Sequence, residues 1–193
     1  MYILGDIGNS KTKIFLVNSK DKIIKRIEFS TNDINKFELK KKFRLLISDF
    51  KKIEKILFCS VVPKAFVFIK KYLSKKTKIK CFEIKELNLR SLMNIKVNYK
   101  QVGSDRLANA ISLLDNKKNF IILDFGTATT FDVIIKKDYI GGIIAPGIDI
   151  SLNTLSDRAS LIPKIDLKKI KKVIGVDTKT AVRSGFFWGY AGL

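Results

Sequence analysis

Asp124-Phe-Gly-Thr-Ala-Thr-Thr-Phe-Asp132 follows directly on the apolar run Phe120 to Leu123. A short apolar run bounded by turn signals reads as a buried strand. A strand that ends in Asp, turns through Gly126 and resumes as Thr130 to Ile135 makes a hairpin. Its tip gathers hydroxyls, backbone N–H groups and carboxylates, a chemistry suited to a phosphate and a metal. Asp, Gly and Thr are also ordinary turn formers, so taken alone the stretch reads first as an ordinary hairpin.

The stretch has a counterpart. Residues 3 to 17, ILGDIGNSKTKIFLV, laid over residues 121 to 135, IILDFGTATTFDVII, align Asp6 with Asp124, Gly8 with Gly126 and Asn9 with Thr127. Two apolar strands flank the turn in both copies. Paired Asp-x-Gly hairpins at the start of successive halves argue for a duplicated domain whose two phosphate-facing turns meet across a cleft.

With 193 residues, 46% of them hydrophobic, the chain has material for one large core or two small ones. No apolar run approaches the length of a bilayer span, and MYILGDIGNS lacks the basic flank and small-residue cleavage pattern of a secretory signal. A cytoplasmic protein is expected, with no membrane partner. Cys59 and Cys81 lie in apolar or alternating runs and are expected as reduced core thiols. The absence of His excludes a Cys/His metal site. Lys and Arg outnumber Asp and Glu by 38 to 18, a net charge of +20. The lysines are dispersed among Ile, Leu and Phe with no aromatic stacking platform, so a solvated surface that steers anionic substrates is expected, and no nucleic-acid partner.

Along the first half, Tyr2 to Ile7, Lys13 to Val17 and Lys22 to Phe29 read as a strand meander. Asn32 or Asp33 is expected to cap a helix running through Phe37, Leu39, Phe43, Leu46 and Ile47 to Phe50. Ile53 to Val62 reads as a buried strand, Pro63 opens a helix to about Leu73, and Ile79 to Ile84 alternates as the next strand. The order is β-β-β-α-β-α-β. Ser104 or Asp105 is expected to cap a helix bearing Leu107, Ala110, Ile111 and Leu114. The second half repeats the meander with Phe120 to Asp124, Thr129 to Ile135 and Tyr139 to Ile144. Helical spacing follows around Ile148 to Ala159 and again from Thr178 to Leu193. The expected domains are residues 1–103 and 104–193.

The motifs Asp6-Ile-Gly-Asn-Ser10, Gly103-Ser-Asp-Arg106, Asp124 to Asp132, Gly141-Gly-Ile-Ile-Ala-Pro-Gly147 and Asp177-Thr178 with Ser184-Gly185 occur in this order. Together they resemble the type III pantothenate kinase family, over essentially the whole chain. The resemblance implies an α/β fold of duplicated ribonuclease H-like (actin-like ATPase) domains, each a mixed sheet with helices, with nucleotide in the cleft between them. It implies ATP-dependent phosphorylation of pantothenate, the first step toward coenzyme A, in a homodimer. Ser10 stands where the family more often has Thr, which keeps the hydroxyl. The resemblance also implies further strand and helix after Leu193, so the second domain is expected to be incomplete. A non-catalytic or truncated nucleotide-binding relative, and another small-molecule kinase of the superfamily, are the competing functions.

The roles follow residue by residue. Asp6, Ile7, Gly8, Asn9, Ser10, Lys11, Thr12 and Lys13 match the family's ATP-binding turn, with Asp6 acting through Mg²⁺, and Thr127 matches its second ATP contact. Asp105 matches the general base that takes the proton of the attacking hydroxyl; a helix N-cap is the competing reading. Tyr99, Gly103, Ser104, Asp105 and Arg106 match the pantothenate contacts, with Arg106 offering its fork to an anionic group. Thr178 matches a further substrate contact, reached in this family across the dimer interface, and is otherwise the N-cap of the last helix. Asp124 matches the ligand of a monovalent cation, K⁺ or NH₄⁺, and is otherwise a turn residue.

Overall fold

The computed structural model describes residues 1–193. The first sheet contains β1 (Tyr2–Ile7), β2 (Lys11–Val17), β3 (Ile23–Ser30), β4 (Lys55–Ser60) and β5 (Cys81–Glu83) in the order β3-β2-β1-β4-β5. Strands β1, β2 and β3 form the expected antiparallel meander, and β4 and β5 run parallel to β1. This is the ribonuclease H-like arrangement. Helices α1 (Lys36–Leu46) and α2 (Pro63–Ser74) supply the crossovers that parallel strands need. Leu39 and Phe43 of α1 and Phe66, Ile69 and Leu73 of α2 bury against Ile3, Ile7, Ile14, Ile56 and Phe58 of the sheet. Each such side chain contributes about 1.5–3 kcal/mol. Gly5 lies under the Phe58 ring, where a Cβ would come within 2.0 Å of it.

Two helix starts differ from expectation. Residues Thr31–Asp33 form a 3₁₀ turn, and Asn35 caps α1 by accepting from the Glu38 N–H. The helix also ends at Leu46, with Phe50 in a separate 3₁₀ turn. Gly103 is the N-cap of α3 (Ser104–Ser112), so Ser104 and Asp105 sit inside the first turn and neither occupies the cap position. A Ser-Asp pair before an apolar period marks a helix start to within one or two residues, and the adjoining glycine took the extended cap conformation.

The second sheet holds β6 (Asn94–Ile95), β7 (Asn119–Phe125), β8 (Ala128–Ile135) and β9 (Asp138–Pro146) in the order β6-β9-β8-β7. The meander of three strands therefore recurs, as the duplicated hairpin implied. The buried reading of Phe120 to Leu123 does not hold, since Ile121 is 65% and Leu123 50% exposed. Strand β7 lies at the sheet edge, where apolar composition alone cannot supply a covering layer. Helices α4 (Ile148–Arg158) and α5 (Thr178–Gly192) follow.

By packing, the chain divides into two compact units, Met1–Phe120 with Asp132–Gly141, and Ile121–Phe131 with Gly142–Leu193. This division is by contact and is a different property from the repeat boundary expected at 103/104.

Candidate active site

In the first unit, Asp6 is the penultimate residue of β1 and Lys13 of β2 is its cross-strand partner. The Lys13 ammonium approaches the Asp6 carboxylate at 3.9 Å, with both side chains more than one-third exposed. Gly8, Asn9 and Ser10 form the turn between them, closed by the Gly8 N–H donating to the Lys11 carbonyl at 3.0 Å. Thr31, which the motif reading missed, braces this turn. Its hydroxyl donates to the Gly8 carbonyl at 2.7 Å and accepts from the buried Thr12 hydroxyl at 2.9 Å, while its N–H donates to the Ser10 carbonyl. Thr12, assigned to the ATP turn, thus spends its hydroxyl inside the fold. Lys11 pairs with Glu28 at 2.9 Å. Lys11 and Arg26 hydrogen-bond the Glu28 carboxylate and hold it down at about 2.

Strand β4 runs beside β1 and brings Cys59 level with Asp6. The Cys59 thiol is 3.7 Å from Asp6 Oδ1 and 3.6 Å from the Gly5 carbonyl. Burial, then the charges of Asp6 and Asp105, push its pKa well above the ordinary thiol range. Asp6 and Asp105 thus act on the same thiol from β1 and α3.

Helix α3 is tied to the end of β4 through Ser104, whose buried hydroxyl accepts from the Ser60 N–H at 2.7 Å and donates to the Ser60 carbonyl at 2.8 Å. That pair of hydrogen bonds to backbone makes Ser104 a fastener for the helix start. The next residue, Asp105, is half-buried and folds its carboxylate back so that Oδ1 accepts from the Arg106 N–H at 2.8 Å. Gly103 makes room for it: a Cβ there would stand 2.3 Å from Asp105 Oδ1. Arg106 donates from Nε to Asp132 Oδ1 at 2.8 Å, with Nη2 2.6 Å from the same oxygen. Desolvation works against the Arg106 charge, but the hydrogen bond and charge of Asp132 outweigh it and raise its pKa. Tyr99 turns its hydroxyl to the Lys85 carbonyl at 3.2 Å, and Lys85 in turn bonds the Val102 carbonyl at 2.7 Å. The segment leading to Gly103 is thereby pinned.

In the second unit, Asp124 and Thr127 are both exposed at the turn from β7 to β8, where the Gly126 N–H donates to the Ala128 carbonyl at 2.9 Å. Gly147, at the start of α4, packs onto this turn. Its N–H donates to the Thr127 carbonyl at 3.0 Å, and a Cβ would meet the Gly126 and Thr127 carbonyls at 2.3 and 2.4 Å. The glycine is there because the backbone approach leaves no space for a side chain. Thr178 is the first residue of α5, exposed, and Asp177 is the cap instead, accepting from the Thr180 N–H at 2.8 Å. The capping alternative for Thr178 is therefore wrong.

A ribonuclease H-like α/β sheet followed by a second β-meander, with an Asp-x-Gly turn at the head of each, is the duplicated fold of the actin-like ATPases. The chain belongs to the type III pantothenate kinase family, whose family model matches residues 2–193. It is 63% identical over 193 residues to the type III pantothenate kinase of Pelagibacter ubique (strain HTCC1062), covering 100% of this chain and 78% of that relative. Type III pantothenate kinase 1 of Francisella tularensis subsp. tularensis (strain FSC 198) is 34% identical, with 100% and 77% covered. A crystal structure from Campylobacter jejuni, of a conserved protein assigned to the Baf family of transcriptional activators, superposes with a TM-score of 0.56 at 20% identity. It covers 98% of this chain and 75% of that one. That likeness speaks for the fold alone.

Proposed function

We propose that this chain transfers the γ-phosphoryl group of ATP to the primary hydroxyl of pantothenate, yielding 4'-phosphopantothenate in the first step of coenzyme A biosynthesis. The supporting observation is the α3 start: a half-buried carboxylate, Asp105, folded over Gly103 and followed by an arginine held by a buried acid. Asp105 takes the proton of the attacking hydroxyl as the new P–O bond forms, and Arg106, with Tyr99 and Gly103 beside it in the sequence, receives the acceptor's anionic end. Ser104 secures the helix that carries both, and Thr178 adds a contact to the acceptor. Phosphoryl transfer needs little covalent help from the protein and much positioning and charge neutralisation.

The turn from Asp6 to Lys13 binds ATP through its backbone N–H groups, with Thr127 as a second contact. Asp6, a partly exposed carboxylate at a strand end, fits Mg²⁺ carried by the phosphates, since that ion needs one or two protein carboxylates and keeps its waters. The exposed Asp124 carboxylate fits a monovalent cation, K⁺ or NH₄⁺. Each cation supplies charge neutralisation when bound. We read residues 1–103 and 104–193 as the duplicated domains, the active form as a homodimer, and the location as cytoplasmic. No helix is long and apolar enough to cross a membrane.

ADP release coupled to NADH oxidation tests the reading, with pantothenate set against a panel of sugars. Turnover with pantothenate alone supports it, together with a product heavier by one phosphoryl group. Turnover with a sugar and none with pantothenate refutes it.

A further inference from the structure

Asp132 is the last residue of the Asp124 to Asp132 hairpin motif and takes no part in the proposed phosphoryl transfer. It is 0% exposed, and three donors converge on one of its oxygens: Arg106 Nε at 2.8 Å, Arg106 Nη2 at 2.6 Å and the Tyr139 hydroxyl at 2.5 Å. Its second oxygen, Oδ2, is buried without a hydrogen-bond partner. An ion pair serving packing alone gains by spreading its donors over both oxygens, because an unmet buried acceptor costs free energy. Here Oδ2 goes unmet while the guanidinium is gripped side-on through Nε and Nη2. That grip fixes the plane of the fork and leaves Nη1 uncommitted to Asp132. Tyr139, likewise 0% exposed and seven residues further on the adjacent strand β9, fixes the carboxylate in turn. The Arg106 side chain keeps 14% of its surface accessible, next in sequence to Asp105.

We propose that Asp132, steadied by Tyr139, is a positioning residue that aims Arg106 at a carboxylate of the acceptor and so selects the charged acceptor over its neutral amide. The inference rests on Arg106 being an acceptor contact, as proposed above. A guanidinium left unclamped spreads over several rotamers, and its two-pronged recognition of a carboxylate is lost before its charge is.

The test compares kcat/KM for pantothenate with that for its neutral carboxamide, in the unaltered chain and in Asp132→Asn and Tyr139→Phe. The unaltered chain should favour the carboxylate. Asp132→Asn should raise the pantothenate KM about tenfold or more, hold the ATP KM within about twofold, and bring the two acceptors toward equality. Tyr139→Phe should shift the same ratio the same way by about two- to fivefold, and it decides the matter if Asp132→Asn does not fold. An unaltered chain that leaves pantothenate untouched refutes the functional reading itself. One that phosphorylates pantothenate with no preference over the amide overturns the positioning role. So does a folded variant that loses kcat, or shifts both KM values in parallel, while keeping the ratio.

Discussion

Gly103 and Asp105 stand in a relationship that a side chain on the first would destroy: a Cβ on Gly103 would lie 2.3 Å from Oδ1 of Asp105. The helix start is thus shaped around a carboxylate. A residue needed only to begin α3 would not require its neighbour to be vacant, because Gly103 already occupies the cap position.

Asp105→Asn should abolish turnover while leaving folding and nucleotide binding nearly intact. The amide oxygen can still accept from the Arg106 N–H, but it cannot take a proton. Loss of a general base costs about 10² to 10⁴ in rate. Steady-state kinetics beside a thermal melt check this, and near-normal turnover would leave Asp105 with only its helix-start role.

Gly103→Ala should fold and yet work poorly. The new methyl group meets the far end of a movable side chain, so Asp105 can swing away at a small cost in stability, within about 1 kcal/mol. Misplacing a reacting group by an ångström costs about 10²-fold in rate. The expected signature is an almost unchanged melting temperature with kcat sharply down; unchanged kcat would show that the folded-back carboxylate is not the working one.

Activity should require Mg²⁺ and a monovalent cation, and Asp124→Ala should lose the monovalent requirement along with most of the rate. Exchange of K⁺ for Na⁺ at constant ionic strength measures it. Equal rates in the two salts for the unaltered chain would remove the cation role from Asp124.

Cys59 and Cys81 should resist alkylation at pH 8 in the folded chain and react promptly in denaturant. Burial pushes Cys81 up to about 12 and raises Cys59 as well, so neither offers thiolate. A pKa raised by folding contributes stability that is intact below the unfolded value and is lost as pH climbs toward the folded one. The decline in melting temperature from this source should therefore begin near pH 9. Rapid native-state labelling of either cysteine would contradict the assignment.

Amide hydrogens of the second unit should exchange before those of the first. The first unit encloses the core around Ile3, Ile14, Phe43, Phe58 and Ile69. In the second, the buried apolar residues are Leu152 and Ile165, while Ile144, Ile174 and Val176 are 64%, 82% and 88% exposed. Helix α5 formed as its spacing implied, and Phe186 stacks on Tyr190 at 6.1 Å, but Trp188 remains 49% exposed. Local opening follows the density of buried contacts. Equal protection across both units, measured by mass spectrometry, would refute this.

Local signals determined much of this protein. Strand meanders, the Asp6 and Asp124 turns, Pro63 at the start of α2 and the Gly103 to Arg106 segment are legible because their causes lie within a few residues, in alternation, turn chemistry and fixed dihedrals. Other features arise between residues far apart in the chain, and only the tertiary structure decided them. Arg106 meets Asp132 across 26 positions and Ser104 meets Ser60 across 44. Thr31 reaches the Gly8 turn, and Gly147 closes on Thr127. The exposure of β7 was hidden for the same reason. An apolar run records what a strand would bury, whereas its place at the sheet edge is set by which strands pair beside it.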